Sequence, residues 1–234
     1  MSAVYKRELH AYFTSPIGYV FCAVFLALSG AVFSYTTLFA MKADVTTYFT
    51  YMTFLLVVLI PLLTMKLFSE ERRSRTEQLL LTSPVSLSGM VLGKFFAAYT
   101  LFAGCMLFAF LGFFILYFYA NVKTAVLFGN LLAVLLLGAA FTAVGLFVSA
   151  LTENQLAAAI GTVALLLFFV LIGFVNSLIP VFWIRFILAG ISLFSRFQNF
   201  TQGVFDISAI LYYLMVCAAF LFLTVRVFDK RRWG

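Results

Sequence analysis

Six stretches of this chain are apolar over roughly the 20 residues that a helix needs to cross a bilayer. They run over 17–41, 47–68, 91–119, 125–150, 156–179 and 207–227. In lipid every backbone N–H and C=O must be paired internally, so each stretch is expected to be a helix. The chain is 65% hydrophobic and only 10% charged, with a mean hydropathy of +1.14. A soluble domain of this size has no interior able to hide that much apolar surface. The fold class is therefore all-α polytopic membrane protein, one transmembrane unit over 1–234 with six transmembrane helices. The first stretch exceeds the 7–15 or so apolar residues of a signal-peptide core, so it reads as an uncleaved span. Transporter, channel, intramembrane enzyme and membrane scaffold are the functional classes left.

Residues 1–15 are polar but patterned. Tyr5, Leu9, Tyr12 and Phe13 fall on one helical face, while Lys6, Arg7, Glu8 and His10 lie on others. That pattern predicts a short amphipathic helix lying in the headgroup layer. At the other end of the chain, 180–206 is too long for a tight turn and too apolar for a solvated loop, with Trp183, Arg185, Phe197, Gln198, Asn199 and Phe200. A re-entrant or interface-lying helix pair before the last span fits it.

Charge fixes the orientation. With both termini in the cytosol, the inner segments hold Lys6, Arg7, Lys66, Arg72, Arg73, Arg75, Lys94, Arg226, Lys230, Arg231 and Arg232. The outer ones hold Lys42, Lys123, Arg185 and Arg196. That bias satisfies the positive-inside rule. The net charge of +7 is accordingly read as orientation and anionic-lipid contact, not nucleic-acid binding. The outer links have no room for a folded domain, so a receptor for an external substrate would be a separate accessory protein.

Chemistry of its own is missing from the sequence. Charged residues sit in links or near span ends, which argues against an ion-coupled carrier or a charged filter. Cys22, Cys105 and Cys217 form no CxxC pair or metal-ligand set, and His10 has no companion ligand. The run Gly89 to Lys94 has three residues between its glycines and Phe95 after the lysine. A phosphate-binding loop needs four, then Ser or Thr. Asn176 and Ser177, near one span end, read as packing groups. Small residues recur at Gly138, Thr142, Gly145 and Ser149 and again at Ala157, Gly161 and Ala164. They permit close helix approach, within one chain or at a dimer seam.

The segment Lys66 to Pro84 is the exception, a charged island between two spans. Read as a helix over 70–81, it places Glu71 four before Arg75 and Arg73 four before Glu77. Leu79, Leu80 and Leu81 follow, and Thr82-Ser83-Pro84 stops the helix. Three leucines in a cytosolic link want a partner surface or the membrane interface.

Three stretches resemble the permease subunits of type-2 ATP-binding-cassette exporters, the gliding-motility-type six-span group in particular. The first is Lys6-Arg7-Glu8-Leu9 with Tyr12-Phe13 and Ser15-Pro16-Ile17. The second is Ile60 to Met65 running into Glu70-Glu71-Arg72-Arg73, then Thr76 to Val85 and Gly93-Lys94. The third is Phe197, Phe200, Gly203 and Asp206. The resemblance implies an interfacial connecting helix over 1–15 (Tyr5, Lys6, Arg7, Leu9, Tyr12, Phe13) and an extracytosolic re-entrant region over 180–206. It also implies a cytosolic coupling helix over 69–84, touching the ATP-binding subunit through Glu70, Glu71, Arg72, Arg73, Glu77, Leu79, Leu80 and Pro84. ATP and Mg would be bound by that partner, with no cofactor in this chain and no enzymatic activity of its own. A second permease, either a copy or a relative, would complete the unit in a bacterial inner membrane, both termini cytosolic and lipid around the spans. The output implied is ATP-driven export. The alternative is mechanotransmission or lipid release acting on an envelope partner. Where Arg75 stands, the family pattern leads one to expect a small residue, often Gly.

Overall fold

The computed structural model describes residues 1–41, 45–76, 86–119, 124–178, 190, 192–201 and 206–233. Among these, all regular structure is helical. In chain order the helices are α1 (Ser2–Thr14), α2 (Pro16–Phe33, extended by a π-helical turn Ser34–Phe39), α3 (Val45–Thr64) and α4 (Lys66–Arg73). After them come α5 (Leu87–Tyr119), α6 (Thr124–Leu151), α7 (Gln155–Leu178), α8 (Leu193–Thr201) and α9 (Ile207–Trp233). Six segments are long and apolar enough to cross a membrane: α2, α3 with α4, α5, α6, α7 and α9. They coincide with the six apolar stretches of the sequence.

The bundle is organised around α6, which packs against α3, α4, α5, α7, α8 and α9. Its small residues are what allow this. A methyl group built on Gly138 would lie 2.2 Å from the Phe102 ring, and one on Gly145 would lie 2.2 Å from Thr64 Oγ1. Thr142 returns its hydroxyl to Gly138 C=O, so its own polar group is paired within the helix. The Gly138–Ser149 row is thus spent inside the chain. The second row is different: Ala157 and Ala164 are exposed on α7. Apolar side chains point outward from the peripheral helices, among them Phe108, Phe168, Leu211 and Met215. This is the inside-out surface expected of a chain whose solvent is lipid.

Two breaks shape the path. Pro61 lies inside α3 and lacks an N–H. One turn later the helix yields at Met65, whose N–H reaches Pro61 C=O at 2.9 Å, and α4 sets off as a separate segment. At the opposite end, α8 lies over α6 and α7. Phe197 and Phe200 are fully buried there, and Tyr213 of α9 donates to Leu193 C=O at 2.7 Å. Asp206 caps α9, its carboxylate accepting from Ser208 N–H at 2.9 Å. Gly203, assigned with these residues from the sequence, lies outside the described residues.

Candidate functional site

Charge collects where α1, α4, the start of α5 and the end of α6 meet. The break at Met65 leaves the first N–H groups of α4 without intrahelical acceptors. Ser149 of α6 supplies one: its Oγ accepts from Phe68 N–H (3.1 Å) and Ser69 N–H (3.2 Å) and donates to Met65 C=O (3.1 Å). A helix N-terminus is thereby capped by a residue 80 positions away in the chain. Ser149 thereby ties the start of α4 to α6.

The charges of α4 divide into two sets. Glu71 turns inward, its Oε1 lying 2.8 Å from Lys94 Nζ and 3.1 Å from Arg7 Nη2. Lys94 also meets Glu8 at 3.2 Å and donates to Leu67 C=O at 2.7 Å, with its ammonium 5.1 Å from the centre of the Phe68 ring. All three ammonium protons have acceptors. With Arg7 against Glu8 at 2.5 Å, two cations and two anions close into a neutral network across α1, α4 and α5. Arg72 turns the other way, to Leu151 C=O (2.9 Å) and Glu153 (2.9 Å). Arg231 of α9 donates to Ala150 C=O at 2.6 Å. Two guanidinium groups therefore sit at the C-terminus of α6, where the helix dipole favours cations. Glu70 and Arg73 remain exposed and form no side-chain ion pair among the described residues.

This geometry corrects part of the reading of 70–81. The helix does not run through it: α4 ends at Arg73, and Arg75 lies beyond the end at φ 58°. The Glu71–Arg75 pair does not form, because Arg75 has left the helical path and Glu71 is held by Lys94. Arg75 N–H bonds Arg72 C=O at 3.1 Å, and the Ser74 hydroxyl bonds Glu70 C=O at 2.9 Å. Position 75 is the left-handed residue that closes a helix, where glycine is favoured. That accounts for the small residue expected there. Arg75→Gly should slow amide exchange over 66–76. Arg75→Val should speed it roughly fivefold, the effect of about 1 kcal/mol of left-handed strain. Hydrogen–deuterium exchange measures both. Glu77, Leu79, Leu80 and Pro84 lie outside the described residues.

On α1 the side toward the protein takes in residues beyond the aromatic pattern. Val4, Glu8 and Tyr12 face the protein, Val4 against Gly93 and Glu8 against Lys94. Tyr12 donates to Leu63 C=O at 3.1 Å, and its burial raises the phenol pKa, which keeps it a donor. Tyr5 donates to Thr100 Oγ1 at 3.2 Å. Leu9 is half-buried, whereas Phe13 is exposed and meets Tyr19 edge-on. Lys6 lies outward, and Arg7 is exposed along its length while its guanidinium reaches Glu8 and Glu71. The inward side combines the ion network through Glu8 with the hydroxyls of Tyr5 and Tyr12. Sequence reasoning placed Lys94 among the flanking cations, and it gave Glu8 and Ser149 no partner. The Val4, Glu8, Tyr12 spacing was the available signal.

The profile of the family described as ABC-2 family transporter protein matches residues 19–233. No curated protein matches the chain.

Proposed function

We infer, because the chain belongs to the ABC-2 family of transporter membrane proteins, that it is the permease through which a partner ATP-binding-cassette subunit drives export. Membership makes it a multi-pass membrane component and implies a cassette partner; the coupling route is our reading. The observation that carries it is the division of charge on α4. Glu71 and Arg72 bind the segment to α1, α5, the end of α6 and the link that follows it, while Glu70 and Arg73 are left facing outward. A segment held from several sides and charged on its free face can pass a partner's push to the bundle. The contact continues into 77–84, with Glu77 as a further charged anchor and Leu79, Leu80 and Pro84 as its packed end. The α1/α4 end faces the cytosol of a bacterial inner membrane, as the basic-residue bias favours, and ATP and Mg belong to the partner. α1 acts as the connecting helix, 180–206 as the re-entrant region, and a second permease completes the unit.

The test is co-purification with an ATP-binding partner. Glu70→Lys with Arg73→Glu should weaken assembly or uncouple ATP hydrolysis while thermal melting of the membrane subunit stays within about 0.5 kcal/mol of wild type, as for other exposed substitutions. Glu77→Lys should act in the same direction. Unchanged assembly together with unchanged coupled hydrolysis in both variants would reject the coupling assignment.

A further inference from the structure

Two of the three cysteines, 83 positions apart in the chain, meet between α2 and α5. Cys105 Sγ lies 3.2 Å from Cys22 Sγ, and both are free thiols. They line an apolar groove on the outer face of the bundle with Leu9, Phe13, Leu26, Gly104 and Phe108. The groove is open. A methyl group built on Gly104 would meet nothing within 4 Å, and Phe108 is 63% exposed. Cys22 is itself half-buried rather than enclosed. Cys105 lies behind Cys22 and is buried, as is Cys217 on α9, but the Cys217 thiol faces Ala139 C=O and not a second sulfur. The charge network and the α4 contact use none of these sulfurs.

Reactivity of a thiol follows its access and its neighbours. Here the half-buried Cys22 is the sulfur reached from the groove, and its neighbour is the buried Cys105 thiol. We propose that Cys22 and Cys105 are a lipid-facing dithiol that closes to a disulfide when a membrane-soluble organic hydroperoxide enters the groove. One sulfur attacks the terminal peroxide oxygen and the O–O bond breaks, giving a sulfenic acid and an alcohol. The second sulfur displaces that oxygen as water and forms the S–S bond. The two thiols give up two electrons, the hydroperoxide takes them, and the two thiol protons end on alcohol and water. A sulfenic acid with a thiol already in contact condenses before it can be oxidised further. The product ties α2 to α5 at the level where Phe25 and Phe102 also meet, 6.2 Å between ring centres.

The experiment uses the full chain in lipid nanodiscs. It is exposed to cumene hydroperoxide, denatured, and alkylated with a mass-tagged maleimide. Wild type should fall from three alkylatable thiols to one, and dithiothreitol should restore all three. Peptide mapping should join Cys22 to Cys105. Cys22→Ser should keep both remaining thiols in reduced form or lose them without forming an intramolecular link. Retention of all three thiols in wild type would overturn the proposal. So would a loss that dithiothreitol does not reverse, or a link to Cys217.

Discussion

Replacing Lys94 with methionine is expected to destabilise the protein by about 3–5 kcal/mol, the cost of removing one partner from a buried ion pair. Lys94 is 1% exposed, and its three protons go to Glu71, Glu8 and Leu67 C=O. Methionine keeps most of the side-chain length and removes every one of those bonds. Glu8 and Glu71 would then share a site with only Arg7 to offset them, and the Arg7 side chain is 52% exposed. Two carboxylates in one partly desolvated site disfavour each other's charge. The loss should appear in thermal melts in a fixed detergent and lipid mixture. Replacing a complete buried network by apolar or neutral groups is often nearly neutral. Lys94→Met combined with Glu8→Gln and Glu71→Gln should therefore recover most of the loss. A single-variant cost below about 1 kcal/mol, the scale of an exposed pair, would show that the network is solvated.

The same lysine marks how far the sequence could be read. Span positions were legible to within a few residues because the constraint is local: a helix in lipid needs its own run of apolar residues. A lysine at the end of such a run has the same local pattern whether it reaches out to the headgroups or turns inward. The choice for Lys94 depends on Glu8, 86 positions earlier, and Glu71, 23 earlier. The end of α4 is the converse case. Helical spacing suggested continuation past Arg73, and charge pairing at Glu71 and Arg75 agreed with it. The expectation of a small residue at 75 already carried the right signal, since that position needs positive φ. Ser149 was read as a small packing residue. Its capping role arises only because α4 starts afresh after Met65, with Phe68 N–H and Ser69 N–H turned to it.

Gly18→Ala is expected to lift α1 off the bundle. A methyl group at Gly18 would stand 2.2 Å from Tyr12 C=O and 2.9 Å from its carbonyl carbon. Both are backbone atoms, so no side-chain rotation relieves the contact. The chain turns between α1 and α2 at Ser15, where the backbone is extended, with Pro16 opening α2. The Tyr12 end of α1 must move, and Tyr12 carries the hydrogen bond to Leu63 C=O. Movement propagates one turn back to Glu8, weakening its contact with Lys94. Overpacking alone costs about 1–3 kcal/mol, and loss of the Tyr12 bond adds about 1 kcal/mol. The measurable signature is spatial. Amide exchange should rise across Ser2–Thr14 while α6, the most enclosed helix, stays protected. A uniform loss of protection through the bundle would instead mean that α1 cannot detach without unfolding the rest. In that case α1 would belong to the same cooperative unit as the spans, and the ion network would hold together the core itself rather than a docked segment.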